Sequence, residues 1–524
     1  MSSLPVSAVL PELLAALRDA PQVLLAAPTG AGKSTWLPLQ LLQQVSGRIL
    51  LLEPRRLAAR NVAQRLAEQL GEAPGQTVGY RMRAESRSGP STRLEVITEG
   101  ILTRMLQQDP MLEGVSLVIL DEFHERSLQA DLALALLLDV QQGLREDLKI
   151  LLMSATLDNA RLQALLPDAP SVRSEGRSFP VERRYASLST SQRFEEAVAR
   201  QVSELLREEP GSLLLFLPGV GEIQRVQTQL APLVASDVDL CPLYGALPLA
   251  EQRKAILPAP VGRRKVVLAT NIAETSLTIE GIRLVVDSAL ERTALFDTRT
   301  GLTRLQTQRV SQASMIQRAG RAGRLAPGIC LHLIPKEQAE RAAAHSDAEI
   351  LQSDLSSLWL DLLQWGCHDA AQLTWLDKPP AASLAQAQRL LSQLGATTDA
   401  GQLTAKGRRM AAFGSEPRLA AMLVEAGNDA DSAATAAMLA AILEEPPRGS
   451  VDLRDALHRP QPHWQKRAKQ LQQRLRLTGG AIDAALAAPL LASAFPDRIA
   501  RRRGMEGRYQ LANGMGAMLD REEA

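Results

Sequence analysis

Short, mainly apolar runs punctuate the first half of the chain, and longer stretches with apolar positions at helical spacing lie between them. Residues 23–27, 48–52, 94–98, 117–120 and 149–153 are runs of the first kind; 33–44, 57–70 and 128–144 are of the second. Strands that are apolar on both faces, alternating with amphipathic helices, predict a parallel sheet covered on both sides. Such sheets bind ligands at the carboxyl ends of their strands. A stretch of Pro, Ser and Gly at 167–180 breaks the rhythm and reads as a linker. The alternation then resumes, with strands expected at 213–217, 239–242, 265–269, 284–287 and 328–333. Two α/β units in tandem leave a cleft between them.

Beyond about residue 340 the pattern becomes mostly helical. Residues 351–363 and 383–394 are amphipathic, and 393–410 reads as helix, Gly turn, short extended piece, helix. Residues 411–445 are alanine-rich, prolines break 446–461, and 464–477 is a basic helix candidate. Residues 498–519 turn to Arg, Gly and short apolar pieces, closer to strand and turn.

Composition narrows the function less than the pattern does. The 524 residues carry a net charge of +1, which excludes a uniformly basic binder, so any nucleic-acid surface must be local. The cysteines, Cys241, Cys330 and Cys367, are scattered and odd in number, as expected in a reducing compartment. The pairs Cys330/His332 and Cys367/His368 lack partner pairs at zinc spacing and read as ordinary buried or exposed residues. No apolar run reaches membrane-spanning length, and Glu12, Arg18 and Asp19 interrupt any signal-peptide core, so a soluble, cytoplasmic protein is expected.

Three segments carry chemistry. The first strand runs into Ala27-Pro28-Thr29-Gly30-Ala31-Gly32-Lys33-Ser34-Thr35, a P-loop with Ala in place of its first Gly. Gly30 and Gly32 let the backbone turn tightly enough to aim amides at phosphate oxygens. A helix starting near Lys33 would add its positive dipole end. Lys33 would reach the β- and γ-phosphates and Ser34 would ligate Mg²⁺. The apolar run ending at Leu120 delivers Asp121 and Glu122 side by side at a strand end. Adjacent acids there are costly unless a cation neutralises them, which assigns Asp121, with Glu122 beside it, to Mg²⁺. Glu122 is also placed to take a proton from the attacking water. The third segment is Gln317-Arg318-Ala319-Gly320-Arg321-Ala322-Gly323-Arg324 in the second unit. Arg321 and Arg324, three apart, share a helix face and can act as arginine fingers, while Gln317 orients the lytic water. Gly320 and Gly323 are poor choices for a merely solvated helix and imply close packing across the cleft.

In this order the segments resemble superfamily two helicases of the DEAH type, and in detail the bacterial HrpB type. The resemblance covers residues 20–335 motif by motif and the remainder more loosely. It implies two RecA-like domains at 1–170 and 171–340. A winged-helix-like domain at 341–410, a ratchet-like bundle at 411–485 and the start of an OB-like module at 486–524 would follow. Glu53-Pro54-Arg55-Arg56 is similar to motif Ia, Thr98-Glu99-Gly100 to Ib, Ser154-Ala155-Thr156 to III, Phe216-Leu217-Pro218-Gly219 to IV and residues 269–278 to V. By that resemblance Ser154 and Thr156 couple ATP state to closure, and His124 joins the catalytic set. Arg55, Arg56, Tyr80, Arg81, Thr98, Gly219, Tyr244, Gly245, Thr270 and Asn271 face nucleic acid. Arg65 stacks on the base, Glu280 meets the ribose, and residues 298–308 form a strand-guiding hairpin. The chain departs from the family pattern with Phe123 in place of Ala, Glu280 in place of Asp, and an aliphatic near Ile256 in place of an aromatic. The last departure implies weak base selectivity, so several NTPs would serve.

Aromatic content of 3 % argues against a sequence-specific single-strand reader and for a motor that grips phosphates and 2′-hydroxyls. Between Arg448 and Arg476 eight Lys/Arg face two acids, and Arg501-Arg502-Arg503 follows, which fits an RNA-lining surface. The resulting expectation is an ATP- and Mg²⁺-dependent RNA helicase or translocase. A DNA-directed motor and an ATP-gated RNA clamp without unwinding stand as alternatives.

Overall fold

Burial dictates the architecture. The first eight strands are β1 (Gln22–Ala26), β2 (Arg48–Glu53), β3 (Val78–Met82), β4 (Glu85–Arg87), β5 (Leu94–Thr98), β6 (Val115–Leu120), β7 (Lys149–Ser154) and β8 (Ser171–Arg173). In the computed structural model they form one sheet in the order β4-β3-β5-β2-β6-β7-β1-β8, parallel except for the β3–β4 hairpin. The structure describes residues 4–519, apart from 84, 156–158, 177–178, 246, 275–278, 415, 448–451 and 505–506 and the side chains of 57, 159 and 249. Because β2, β6, β7 and β1 are neighbours, the segments that follow them lie side by side at one edge.

The second unit is a parallel sheet of β9 (Val181–Tyr185), β10 (Ser212–Phe216), β11 (Val238–Leu243), β12 (Arg264–Ala269), β13 (Ile282–Asp287) and β16 (Gly328–His332), ordered β11-β12-β10-β13-β16-β9. An antiparallel pair, β14 (Leu290–Asp297) and β15 (Leu302–Arg309), projects between β13 and β16. This hairpin begins eight residues earlier than position 298, where the resemblance puts it.

Two local expectations fail for identifiable reasons. The stretch at 167–180 is not only a linker, because β8 pairs in parallel with β1 and closes the first sheet, so the expected boundary at 170 falls inside the first unit. The helix expected over 33–44 is confined to Leu37–Leu42. Pro38 occupies its first turn, the one helical position where a missing N–H costs nothing; a helix beginning at Lys33 would put Pro38 in the interior.

The C-terminal region is helical up to residue 494 and ends in a three-stranded antiparallel sheet of β17 (Ala500–Arg502), β18 (Arg508–Leu511) and β19 (Gly516–Met518). Its core is continuous with that of the first unit. Leu358, Leu362, Leu419 and Leu439 belong to the same buried cluster as Leu102, Leu106, Leu132 and Leu136. Trp365 Nε1 donates to Asp139 at 2.8 Å, and Gln107 Nε2 to Asp361 Oδ1 at 3.1 Å. The helical region is therefore carried by the first α/β unit.

Candidate nucleotide site between two α/β units

The loop after β1 has the conformation that its glycines permit, with φ of +89° at Gly30 and +92° at Gly32. Lys33 Nζ donates to Glu122 Oε1 at 2.5 Å and lies 3.5 Å from Asp121 Oδ1, and Ser34 Oγ donates to Asp121 Oδ2. All three charged groups are buried. Burial alone would depress the Lys33 amine; the Glu122 and Asp121 charges outweigh it and hold the amine protonated. Burial would likewise raise the Glu122 carboxyl, but Lys33, His124 and Arg321 hold it below the usual carboxylate range. Glu122 is therefore an ionised base at neutral pH.

His124 flanks this carboxylate: its Nδ1 lies 3.4 Å from the Ala155 N–H and its Nε2 3.3 Å from Glu122 Oε2. His124 thus joins the end of β6 to the Ser154-Ala155 segment; Thr156 lies outside the described residues. Phe123, at the unusual position of the signature, is fully buried in the core and leaves both acids undisturbed. Sequence reasoning missed Glu53 as a member of the site. It ends β2 beside Asp121, and burial, then the Asp121 charge and a hydrogen bond to Asp121, raise its carboxyl well above the ordinary range. The legible signal was an acid at the end of an apolar strand.

The second unit contributes the opposite wall. A cavity of about 430 Å³ is lined by Pro28, Thr29, Gly30 and Ala31 on one side and by Gln317, Arg321 and Arg324 on the other. The terminal nitrogens of Arg324 are shut off from solvent and have no hydrogen-bond partner among the described residues. Burial lowers its pKa to about 10, the Glu122 charge opposing that shift. A buried guanidinium without an acceptor facing a P-loop fits a phosphate oxygen. Arg321 is held differently, its Nε donating to the Glu274 carbonyl at 2.8 Å. The helix ends at Gly320 and a 3₁₀ turn spans Arg321–Gly323, so the shared face of Arg321 and Arg324 comes from the eclipsed i, i+3 spacing of that turn.

Gly320 and Gly323 do not pack across the cleft. A Cβ on Gly323 would meet Phe179 O at 2.5 Å, so this residue packs against the start of β9 within its own unit and not across the cleft; Gly320 has open space around it. Arg318, passed over in the sequence, is fully buried. Its Nη1 donates to Asp287 Oδ1 at 2.8 Å and its Nε to Glu274 Oε2 at 2.9 Å, and the guanidinium lies over Phe216. Ser34 and Asp121 are the donors that would hold Mg²⁺. Arg65 and Glu280 are both exposed and outside the cavity lining, and Ile256 packs against the second unit's core.

The expected nucleic-acid residues do not form one surface. Arg55 Nη1 donates to the Asn271 carbonyl at 3.2 Å, bridging the units, and both residues line a cavity of about 230 Å³ with His124 and Gln317. Arg56 and Thr98 line another of about 340 Å³ with Arg83, Arg104 and Asp361. Tyr80 does not face a ligand: it is buried in the first core and its hydroxyl donates to Glu85 at 2.7 Å. Its neighbour Arg81 is tied to the buried Glu95 at 2.9 Å. Gly219 lies under the Arg292–Glu222 ion pair. Tyr244 is half-buried, Gly245 exposed and Thr270 half-buried; residues 275–278 of the expected motif V lie outside the described residues. The helical region adds what the sequence only hinted at. Arg467 and Arg474 stand close enough to Arg83 and Arg104 to depress them. Arg104 falls to about 10 through burial, then through Arg474 and Arg83.

A P-loop and paired acids on one parallel-sheet lobe, with arginines from a second lobe closing the same cavity, define a helicase-type core of two RecA-like domains. Family models agree: DEAD/DEAH box helicase matches residues 7–165 and Helicase conserved C-terminal domain matches 196–326. The chain is 73 % identical to ATP-dependent RNA helicase HrpB of Escherichia coli over its whole length, and spans 65 % of that relative. It is 38 % identical to ATP-dependent RNA helicase HrpA of the same organism over 81 % of its length, covering 33 % of that protein. The crystal structure of E. coli DEAH/RHA helicase HrpB superimposes with a TM-score of 0.95 over 100 % of this chain and 67 % of that one. The chain belongs to the DEAH-type helicases, in their HrpB group.

Proposed function

We propose that the chain is an ATP-dependent RNA motor that hydrolyses NTP at the seam between its two RecA-like domains and moves along single-stranded or structured RNA. The observation that carries this reading is the buried Arg324 guanidinium, its terminal nitrogens without a hydrogen-bond partner among the described residues, opposite the Gly30–Gly32 loop. Triphosphate entering the cavity gives Arg324 its acceptor and draws Lys33 from Glu122 to phosphate. Bound at Ser34 and Asp121, Mg²⁺ supplies charge neutralisation for the phosphates. Glu122, freed from Lys33, accepts a proton from the attacking water, with His124 Nε2 3.3 Å from its second oxygen and Gln317 orienting the water. Arg321, fixed to the Glu274 backbone, ties the 3₁₀ turn to the segment after β12, so phosphate loss and backbone grip change together.

RNA lies along the cavity of Arg56, Thr98 and Arg104 that the helical region closes, where Arg56, Arg83 and Arg104 share the lining with Glu99, Asp361 and Glu416, and Arg467 and Arg474 stand close to Arg83 and Arg104. Arg55, Thr270 and Asn271 contribute from the seam. ATP-dependent RNA helicase is the printed name of the HrpB and HrpA relatives, and it supports RNA as the track. We place the protein in the cytoplasm: its cysteines are free, and no helix among the described residues is long and apolar enough to cross a membrane. The test is Mg²⁺-dependent ATP turnover with single-stranded RNA, with DNA of the same sequence, and with neither. Stimulation by RNA that Glu122→Gln abolishes is expected; turnover indifferent to RNA refutes the reading.

A further inference from the structure

The turn that carries the base is backbone-strained at both ends. Glu122 and Arg126 have φ of 52° and 51°, left-handed values that non-glycine residues keep only when their surroundings impose them. The 3₁₀ turn Phe123–Glu125 lies between them. On the Glu122 side the restraints are Lys33 and His124, both in the catalytic site. On the Arg126 side they come largely from elsewhere in the chain. Arg126 grips Asp131 with two bonds, Nε to Oδ1 at 3.0 Å and Nη2 to Oδ2 at 2.9 Å, and reaches Asp377 Oδ2 at 2.7 Å. Its carbonyl accepts the Glu349 N–H at 3.0 Å, and Glu349 Oε2 accepts the Leu128 N–H at 2.6 Å.

Asp377 belongs to the helical C-terminal region, in the loop before helix Ala381–Gln393. Trp375, buried two residues earlier and donating to the Ala370 carbonyl at 2.7 Å, anchors that loop. The second oxygen of Asp377 accepts from Arg161, in the helix Asn159–Leu165 that follows the Ser154-Ala155 segment. One carboxylate of the C-terminal region thus bridges the chain just past the base and the chain just past the coupling segment. It is largely shielded from solvent, so its bonds are not diluted as surface pairs are.

We propose that Asp377 is a positioning residue: through Arg126 and Arg161 it fixes the strained turn bearing Glu122, so that the C-terminal region sets the competence of the nucleotide site. This deepens the function proposed above and rests on it. The C-terminal region shares its core with the first α/β unit and also brings Arg467 and Arg474 close to Arg83 and Arg104. RNA seated against those arginines would be felt at Glu122 without crossing the seam between the units.

The experiment measures kcat and KM for ATP, and RNA affinity, on the full chain with and without single-stranded homopolymeric RNA. The chains compared are wild type, Asp377→Asn, Asp377→Glu and Arg161→Gln. Asp377→Asn is expected to lose about tenfold of the RNA-stimulated kcat, as small displacements of a catalytic group do, with KM and RNA affinity within twofold of wild type. Asp377→Glu should recover most of the rate. Arg161→Gln, which removes only the more exposed arm of the bridge, should fall between and provides the same readout if Asp377→Asn folds poorly. Stimulated kcat unchanged in Asp377→Asn and Arg161→Gln, or losses in KM and RNA affinity as large as in kcat, would overturn the inference. Failure of the wild type to respond to RNA overturns the proposed function instead, and this coupling with it.

Discussion

Replacing Arg318 by Met isolates the largest buried charge network of the second domain. Met fills much of the same volume but leaves Asp287 and Glu274 without their cation. Burial alone would raise the Asp287 carboxyl, yet Arg318 and then His332 hold it at about 2. It is wholly buried, with Oδ1 on Arg318 and Oδ2 2.9 Å from His332 Nδ1. Removing one partner of such a pair costs about 3–5 kcal/mol, because a buried charge is left uncompensated. The chain's five tryptophans, at 36, 359, 365, 375 and 464, all lie outside this domain, so their fluorescence is blind to the effect. Hydrogen exchange of peptides covering β10, β13 and β16 reads it directly. The loss corresponds to exchange about 10²–10⁴-fold faster in those strands, with the first domain's strands unchanged. Adding Asp287→Asn to Arg318→Met should recover part of the loss, since the orphaned charge goes with it. ATP turnover should fall as well, because Glu274, released from Arg318, carries the carbonyl that holds Arg321. Protection in β13 equal to wild type, or a double variant as damaged as the sum of the singles, would show that the network is not what holds the second sheet to the arginine turn.

Four further outcomes follow from the same geometry. Burial pushes the Glu99 carboxyl up to about 8, against the hydrogen bond from Ser127. A raised folded pKa contributes stability that is fully present below the unfolded value near 4.5 and is lost as pH rises through about 8. Thermal midpoints of wild type and Glu99→Gln should therefore coincide near pH 5 and separate towards pH 9, wild type being the lower; parallel curves would contradict the shift. Tyr80→Phe should cost about 1 kcal/mol of stability and leave RNA-stimulated turnover intact, whereas Arg104→Ala should weaken RNA binding and reduce its salt slope by about 1. Leu4 lies over Gly32, and the Val6 N–H donates to the Ala31 carbonyl at 3.1 Å. Leu4→Ala should therefore raise KM for ATP about fivefold through a looser phosphate loop, from roughly 1 kcal/mol of lost apolar contact; an unchanged KM would remove this strap from the account.

What the sequence made legible was whatever is local and periodic. Apolar runs located ten of the strands, and the order of motifs assigned the lobes, because a strand buried on both faces leaves a clear signature. Lys33, Ser34, Asp121 and Glu122 meet as their spacing along a parallel sheet implies. The misses are of three physical kinds. Pro38 was a local signal left unused, and it shortens the helix after the phosphate loop. Tyr80 and Gly323 could be placed only by knowing which neighbour packs against them: an aromatic in a resembling motif gives no sign that its ring is buried, and a glycine does not say which side is crowded. Glu53 and Asp377 act through partners 68 and 251 residues away, at Asp121 and Arg126, and carry no periodicity of their own.

Everything else depends on Arg324, which has no acceptor among the described residues, being kept for a terminal phosphate. Calorimetric affinities for Mg²⁺–ADP and for a Mg²⁺-bound, non-hydrolysable ATP analogue, in wild type and Arg324→Ala, test it most directly. The account predicts that wild type prefers the triphosphate about tenfold or more and that Arg324→Ala binds ADP as before while losing most of that preference. Equal preference in the two proteins would mean that the second domain does not reach the nucleotide, and the two-lobed site would have to be abandoned.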